Sequence, residues 1–166
     1  MSLRIVVADD SAILREGLAG LLERRGHSIV GQADSAPELE AVVDKLRDEL
    51  PDIVITDVRM PPGMSDDGLK AAVNIRNAYP GLPVMVLSQY VAPAYAVELF
   101  DSPDAGTGYL LKDRVSEVRD FLSSLDVVAQ GGTVIDPTVA QALMSSGRSG
   151  LGELTTRERE VLELMS

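Results

Sequence analysis

At 166 residues, with 45% hydrophobic and 25% charged side chains, the chain suits one full domain and a fragment of a second, of ordinary globular composition. Zero cysteines exclude a disulfide framework or thiolate metal site, and the single histidine, His27, excludes a His-based triad or a histidine-cluster zinc site. A net charge of −11 argues against this chain by itself gripping nucleic acid. With no charged-then-apolar leader and no apolar run near the ~20 residues of a membrane span, a cytoplasmic protein without membrane contact is expected.

Leu3 to Ala8 reads as a first strand, followed at once by Asp9-Asp10-Ser11. A helix follows with Ile13, Leu14, Leu18, Leu21 and Leu22 on its apolar face and Gly26 as its C′ residue. Ser28 to Gly31 forms a second strand. Ser35 and Glu38 make an S-x-x-E capping box for a helix carrying Leu39, Val42, Val43 and Leu46, which ends by Pro51. Ile53, Val54 and Ile55 are β-branched without polar alternation, the pattern of a strand covered on both faces, and that strand runs into Asp57. A loop from Met60 to Asp67 leads to a helix with Leu69, Ala72, Val73 and Ile75.

Pro83 to Leu87 is the fourth strand and ends at Ser88-Gln89-Tyr90. A weaker helix is expected over 93–100, then turn chemistry over 101–108. The fifth strand, Tyr109-Leu110-Leu111, stops at Lys112-Asp113, and Asp113 can cap a last helix whose apolar face is Val115, Val118, Phe121, Leu122, Leu125 and Val128. Five βα units at this spacing predict an α/β doubly wound parallel sheet with helices on both faces. Residues 1–130 would form that domain, closing at Gly131-Gly132. Residues 131–150 would be a linker holding a short helix, with Asp136 as N-cap and Pro137 at N1, ahead of the flexible stretch Ser145 to Gly150. In residues 151–166, Thr155 and Glu158 repeat the capping-box pattern before Val161, Leu162 and Met165.

The carboxyl edge of such a sheet is where open α/β folds place their ligands, and here it would gather Asp9, Asp10, Asp57, Ser88 and Lys112. Three clustered carboxylates repel one another unless a cation is bound, and hard oxygen ligands without His or Cys favour Mg²⁺. A carboxylate can accept a phosphoryl group as a nucleophile, with Lys112 neutralising charge and the Ser88 hydroxyl hydrogen-bonding a phosphoryl oxygen. Taken singly, each residue has a plainer reading: Asp9 or Asp10 could cap the first helix, Asp57 could be a loop carboxylate, Ser88 a turn residue and Lys112 a surface charge. Tyr109 alone is a half-buried strand aromatic, and His27 a helix-terminus histidine. Those readings fail jointly, because four strand ends would have to match by chance.

With Asp9-Asp10, Asp57 followed by Met60-Pro61, Ser88 and Lys112 in these places, residues 3 to 130 resemble a bacterial response-regulator receiver domain. Gly31-Gln32-Ala33, Leu87-Ser88-Gln89-Tyr90 and Gly108-Tyr109-Leu110-Leu111-Lys112-Asp113 are similar to the NarL/FixJ (LuxR-type) branch. The resemblance implies a CheY-like (flavodoxin-like) five-stranded sheet of order 2-1-3-4-5, with a short helical C-terminal extension. It also implies that Asp57 is the phosphoacceptor for a sensor histidine kinase. Asp10 and Asp57 would ligate Mg²⁺ by side chain and Arg59 by its backbone carbonyl, with Asp9 reaching the ion through water. Ser88 and Lys112 would contact the phosphoryl group, and Ser88 and Tyr109 would act as switch residues. A phosphorylation-promoted homodimer is implied as well. Two departures stand out. The loop Pro62 to Gly68 is longer than the usual Pro-Gly-x-x-Gly, and Lys112 is followed by Asp113 rather than proline, so the cis bond common there loses its usual basis.

The stretch Leu154 to Leu162 looks like the opening of that branch's helix-turn-helix DNA-binding domain. The expectation is therefore the truncated start of a DNA-binding regulator, one that cannot itself read an operator in this form. Two other classes compete: an Mg²⁺-dependent aspartyl-phosphate phosphohydrolase and an unphosphorylated receiver-like interaction module. The hydrolase would need a second carboxylate two residues beyond Asp57, where Arg59 stands, and the complete acidic set with its lysine counts against a bare interaction module. A dinucleotide site fails because Asp9-Asp10-Ser11-Ala12 replaces the glycine-rich turn. The protein is expected not to be an enzyme beyond its own phosphorylation and dephosphorylation.

Overall fold

The computed structural model describes residues 2–58, 67–88, 106–112, 116–137 and 141. Its elements are β1 (Arg4–Ala8), α1 (Ala12–Arg24), β2 (Ser28–Ala33), α2 (Ala36–Lys45), β3 (Ile53–Asp57), α3 (Asp67–Ala78), β4 (Val84–Ser88), β5 (Thr107–Leu111), α4 (Val118–Ala129) and β6 (Thr133–Ile135). All strands are parallel, in the order β2-β1-β3-β4-β5-β6. The order 2-1-3-4-5 is as expected. The sixth strand is a correction: no strand is expected after Gly132, yet Thr133-Val134-Ile135 pairs with Thr107-Gly108-Tyr109.

The sheet separates two cores because strand residues alternate between its faces. Val6, Val54, Val84 and Val86 pack with Leu39 and Val43 of α2 and with Leu69, Ala72 and Ile75 of α3. Ile5, Val7, Ile53, Ile55 and Met85 face the other way, onto Leu22 of α1 and Phe121, Leu125 and Val128 of α4. Every residue of β3 and β4 is buried, which is what an apolar run without alternation requires of a central strand.

Helix α1 corrects the predicted apolar face at its first turn. Ile13 is 84% exposed and Leu14 49%, and burial is reached only at Ala19 and Leu22. Ser11, not Asp9 or Asp10, is its N-cap, accepting from the Leu14 N–H. Gly26 follows the helix at φ 91°, the left-handed conformation that a C′ residue needs. His27, just beyond, takes a further part: its Nδ1 accepts from the Leu3 N–H at 3.0 Å and ties down the start of β1. The Ser35 box forms with one shift, since Ser35 Oγ accepts from Glu38 N–H while Glu38 Oε1 reaches back to the N–H of Asp34.

The last helix begins at Val118 with Glu117 as its N-cap. Asp113 and Val115, the helix expected over 93–100, the linker from Ser145 and the tail 151–166 lie outside the described residues. Pro137 is helical, directly after Asp136, and residues 138–140 lie outside the described residues. Among the described residues no helix is long and apolar enough to cross a membrane.

Candidate functional site

Four strand ends converge on one edge of the sheet. Asp57 is the last residue of β3 and is buried. Asp9 and Asp10 follow β1, the first buried and the second exposed. Ser88 closes β4 and is buried, and Lys112 follows β5. One carboxylate oxygen from each of Asp9, Asp10 and Asp57 lies within 4.8 Å of the others. The Lys112 Nζ donates to Asp57 Oδ2 at 3.0 Å and lies 3.3 Å from Asp9 Oδ2. Three carboxylates against one ammonium leave two negative charges, the complement of a divalent cation. Burial alone pushes the Lys112 ammonium down, but its hydrogen bond to Asp57 and the charges of Asp57 and Asp9 outweigh that, and its pKa stands above the ordinary lysine value.

The neighbouring chain explains why these side chains stay in place. Asp9 Oδ1 accepts from the Ser11 N–H at 2.9 Å, and Arg15 Nη1 donates to the Asp9 carbonyl at 2.7 Å. Arg15 is thus a support that the sequence did not single out; its spacing, one turn into the helix after the acidic pair, was the available signal. Gly68 is a second. A Cβ there would overlap the Asp57 carbonyl oxygen, and its N–H donates to the Val58 carbonyl at 2.8 Å, so the first turn of α3 abuts the backbone at Asp57. Tyr109 is fully buried in the core with α2 and α3, not half-buried. Arg59, Met60 and Pro61 lie outside the described residues.

The donor set suits Mg²⁺: oxygen only, anionic, without His or Cys, at an accessible edge where Asp10 is exposed.

Residues 5–122 match the response regulator receiver domain family, and the chain belongs to that family. Within it, its relatives are regulators of the NarL/LuxR kind. The oxygen regulatory protein NreC of Staphylococcus carnosus is 29% identical over 175 residues, covering 99% of this chain and 77% of that protein. The transcriptional regulatory protein NarL of Mycobacterium tuberculosis is 32% identical over 164 residues, covering 96% of this chain and 71% of its own. Among solved structures, a LuxR-family two-component response regulator from Aurantimonas superposes with a TM-score of 0.69 at 26% identity, over 88% of this chain and 98% of that one. The signal receiver domain of the Mycobacterium tuberculosis NarL superposes at 0.57 with 32% identity, over 78% and 98%. The chain is therefore a NarL-family receiver and not a conventional enzyme, and its acidic triad is consistent with a phosphoacceptor site.

Proposed function

We propose that this chain is a phosphorylation-controlled switch of a cytoplasmic two-component system, with Asp57 as the residue that takes the phosphoryl group from a sensor histidine kinase. The observation that carries the reading is the ammonium of Lys112 seated on Asp57 and Asp9 beside a third carboxylate. In the transfer an Asp57 oxygen forms the new P–O bond while the donor's P–N bond breaks and the imidazole departs. Lys112 would follow the charge onto the phosphoryl oxygens, and Ser88, at the neighbouring strand end, would donate its hydroxyl to one of them. Asp10 and Asp57 side chains, the Arg59 carbonyl and Asp9 through water would hold Mg²⁺, which neutralises phosphoryl charge when bound.

The new group adds roughly −1.5 to −2 charge and strong acceptors. It draws Lys112 and Ser88 toward it, and Tyr109, two residues before Leu111 on the same strand, is the aromatic through which that shift changes the surface. The readout is homodimerisation and, in the longer regulator to which the tail 151–166 would belong, transcription through a DNA-binding domain. That the relatives LnrK, DegU and NarL are named transcriptional regulatory proteins supports this.

The test is to follow acetyl phosphate consumption with Mg²⁺ alongside size-exclusion chromatography. Uptake of about one phosphoryl group per chain with a shift to dimer supports the switch. Continuous donor turnover without an adduct would revive the hydrolase, and no uptake by folded protein would leave an unphosphorylated interaction module.

A further inference from the structure

The receiver match ends at residue 122, yet the chain stays in the sheet beyond it: β6 lies along β5, and Asp136 immediately after it is fully buried. The rungs between the two strands advance two residues at a time. Thr107 N–H donates to the Gly132 carbonyl at 3.1 Å, and the Asp136 N–H returns a bond to the Tyr109 carbonyl at 2.8 Å. By the same spacing, the next rung would join the Leu111 N–H to the carbonyl of residue 136. The chain turns into a helix at Pro137, and the Asp136 carboxylate takes that rung instead, with Oδ2 3.4 Å from Leu111 N. Leu111 is the residue before Lys112.

We propose that Asp136 is a positioning residue for the phosphoryl chemistry. It brackets the end of β5 at Tyr109 and Leu111, fixes the point from which Lys112 reaches Asp57, and so ties the chain leaving the sheet at Pro137 to the state of that pocket. The proposal rests on the phosphoacceptor reading of Asp57. Coupling between two places is reciprocal: if Asp136 sets the position of Lys112, a phosphoryl group that draws Lys112 must also act on Asp136 and the segment after it.

The test uses the full chain with Asp136→Ala, with Asp136→Asn, which keeps an acceptor oxygen at the same reach, and with Asp136→Ser, which keeps a helix-capping oxygen but withdraws it from Leu111. Initial rates of phosphoryl uptake from acetyl phosphate at saturating Mg²⁺ are measured with amide exchange at Leu111. The Ala and Ser variants are expected to lose about tenfold in rate and in Leu111 protection, with the Mg²⁺ half-saturation unchanged and both readouts restored by Asn. Ser serves if Ala does not fold. Parent-like rates and protection in a folded Ala or Ser variant overturn the proposal, as does an equal loss in Asn, which would mark a role in charge or general stability. If the parent chain takes up no phosphoryl group, the reading of Asp57 fails by itself. Leu111 protection then still decides: lost in Ala or Ser and kept in Asn sustains the clasp, and equal in all variants overturns it.

Discussion

Lys112 reaches across an intervening strand to Asp57: β4 lies between β3 and β5, and the ammonium nevertheless sits 3.0 Å from Asp57 Oδ2 and 3.3 Å from Asp9 Oδ2. One cation thus joins the ends of three strands. The arrangement holds two carboxylates and leaves a third, Asp10, at the exposed rim of the cluster. The balance of charge in this pocket governs both its stability and its chemistry.

Asp10→Asn removes one of three like charges while leaving the Lys112 pairs intact. The variant is expected to be more stable than the parent without metal, by about 1 kcal/mol for an exposed charge a few ångströms from its neighbours. Added Mg²⁺, which should stabilise the parent, should do little for the variant. Urea unfolding with and without Mg²⁺ measures both effects, and a destabilised metal-free variant would contradict this account.

The raised pKa of Lys112 fixes the sign of a pH effect. The stability it contributes is fully present below the unfolded-state value, near 10.5, and is lost as pH rises through the higher folded-state value. The stability difference between parent and Lys112→Met, in metal-free buffer, should therefore be flat through neutral pH and shrink only in the alkaline range above that value. Subtraction is needed because Tyr79, whose hydroxyl donates to Asp44, is also raised and loses its contribution in the same direction. Thermal unfolding between neutral and strongly alkaline pH supplies the comparison.

Gly68→Ala places a methyl group on the Asp57 carbonyl, a backbone atom that no rotamer change can move aside. A loss of about 1–3 kcal/mol is expected, as for overpacked sites, together with slowed phosphoryl uptake because Asp57 must shift with its backbone. Unfolding in urea and the uptake rate test the two parts. Unchanged stability would mean that the start of α3 yields readily.

Arg76 is buried on α3, where its guanidinium donates to the carbonyls of Leu82 and Gly106 and to Thr107 Oγ1, joining the starts of β4 and β5. Burial pushes its pKa down, so the fork of hydrogen bonds is what justifies its place. Arg76→Met should cost about 3 kcal/mol, and Arg76→Lys nearly as much, because a point charge cannot serve three separate acceptors. Unfolding midpoints of both variants measure this. A Lys variant as stable as the parent would contradict it.

The central strands and the site were legible because they are written in local chemistry. Ile53-Val54-Ile55 announces a strand covered on both sides, and an acid, a serine or a lysine at each strand end announces a convergent edge. What the sequence concealed depends on distant partners. Thr133-Val134-Ile135 is too short to mark a strand, and only the open edge of β5 makes it one. Ile13 and Leu14 fit an apolar helical face, but nothing local says that the first turn of α1 projects beyond its packing partners. Arg76 looks like a solvated charge on a helix, and its acceptors lie on other elements. Asp136 is expected as a helix cap, and nothing in the sequence marks it as a partner of β5, 25 residues away.

The most direct measurement is the intact mass of the chain after incubation with acetyl phosphate, for the parent and for Asp57→Ala, with Mg²⁺ and with a chelator. The account predicts a single phosphoryl adduct, labile to base, in the parent with Mg²⁺ and in no other sample. An adduct of equal yield on folded Asp57→Ala, or formation indifferent to Mg²⁺, would contradict it.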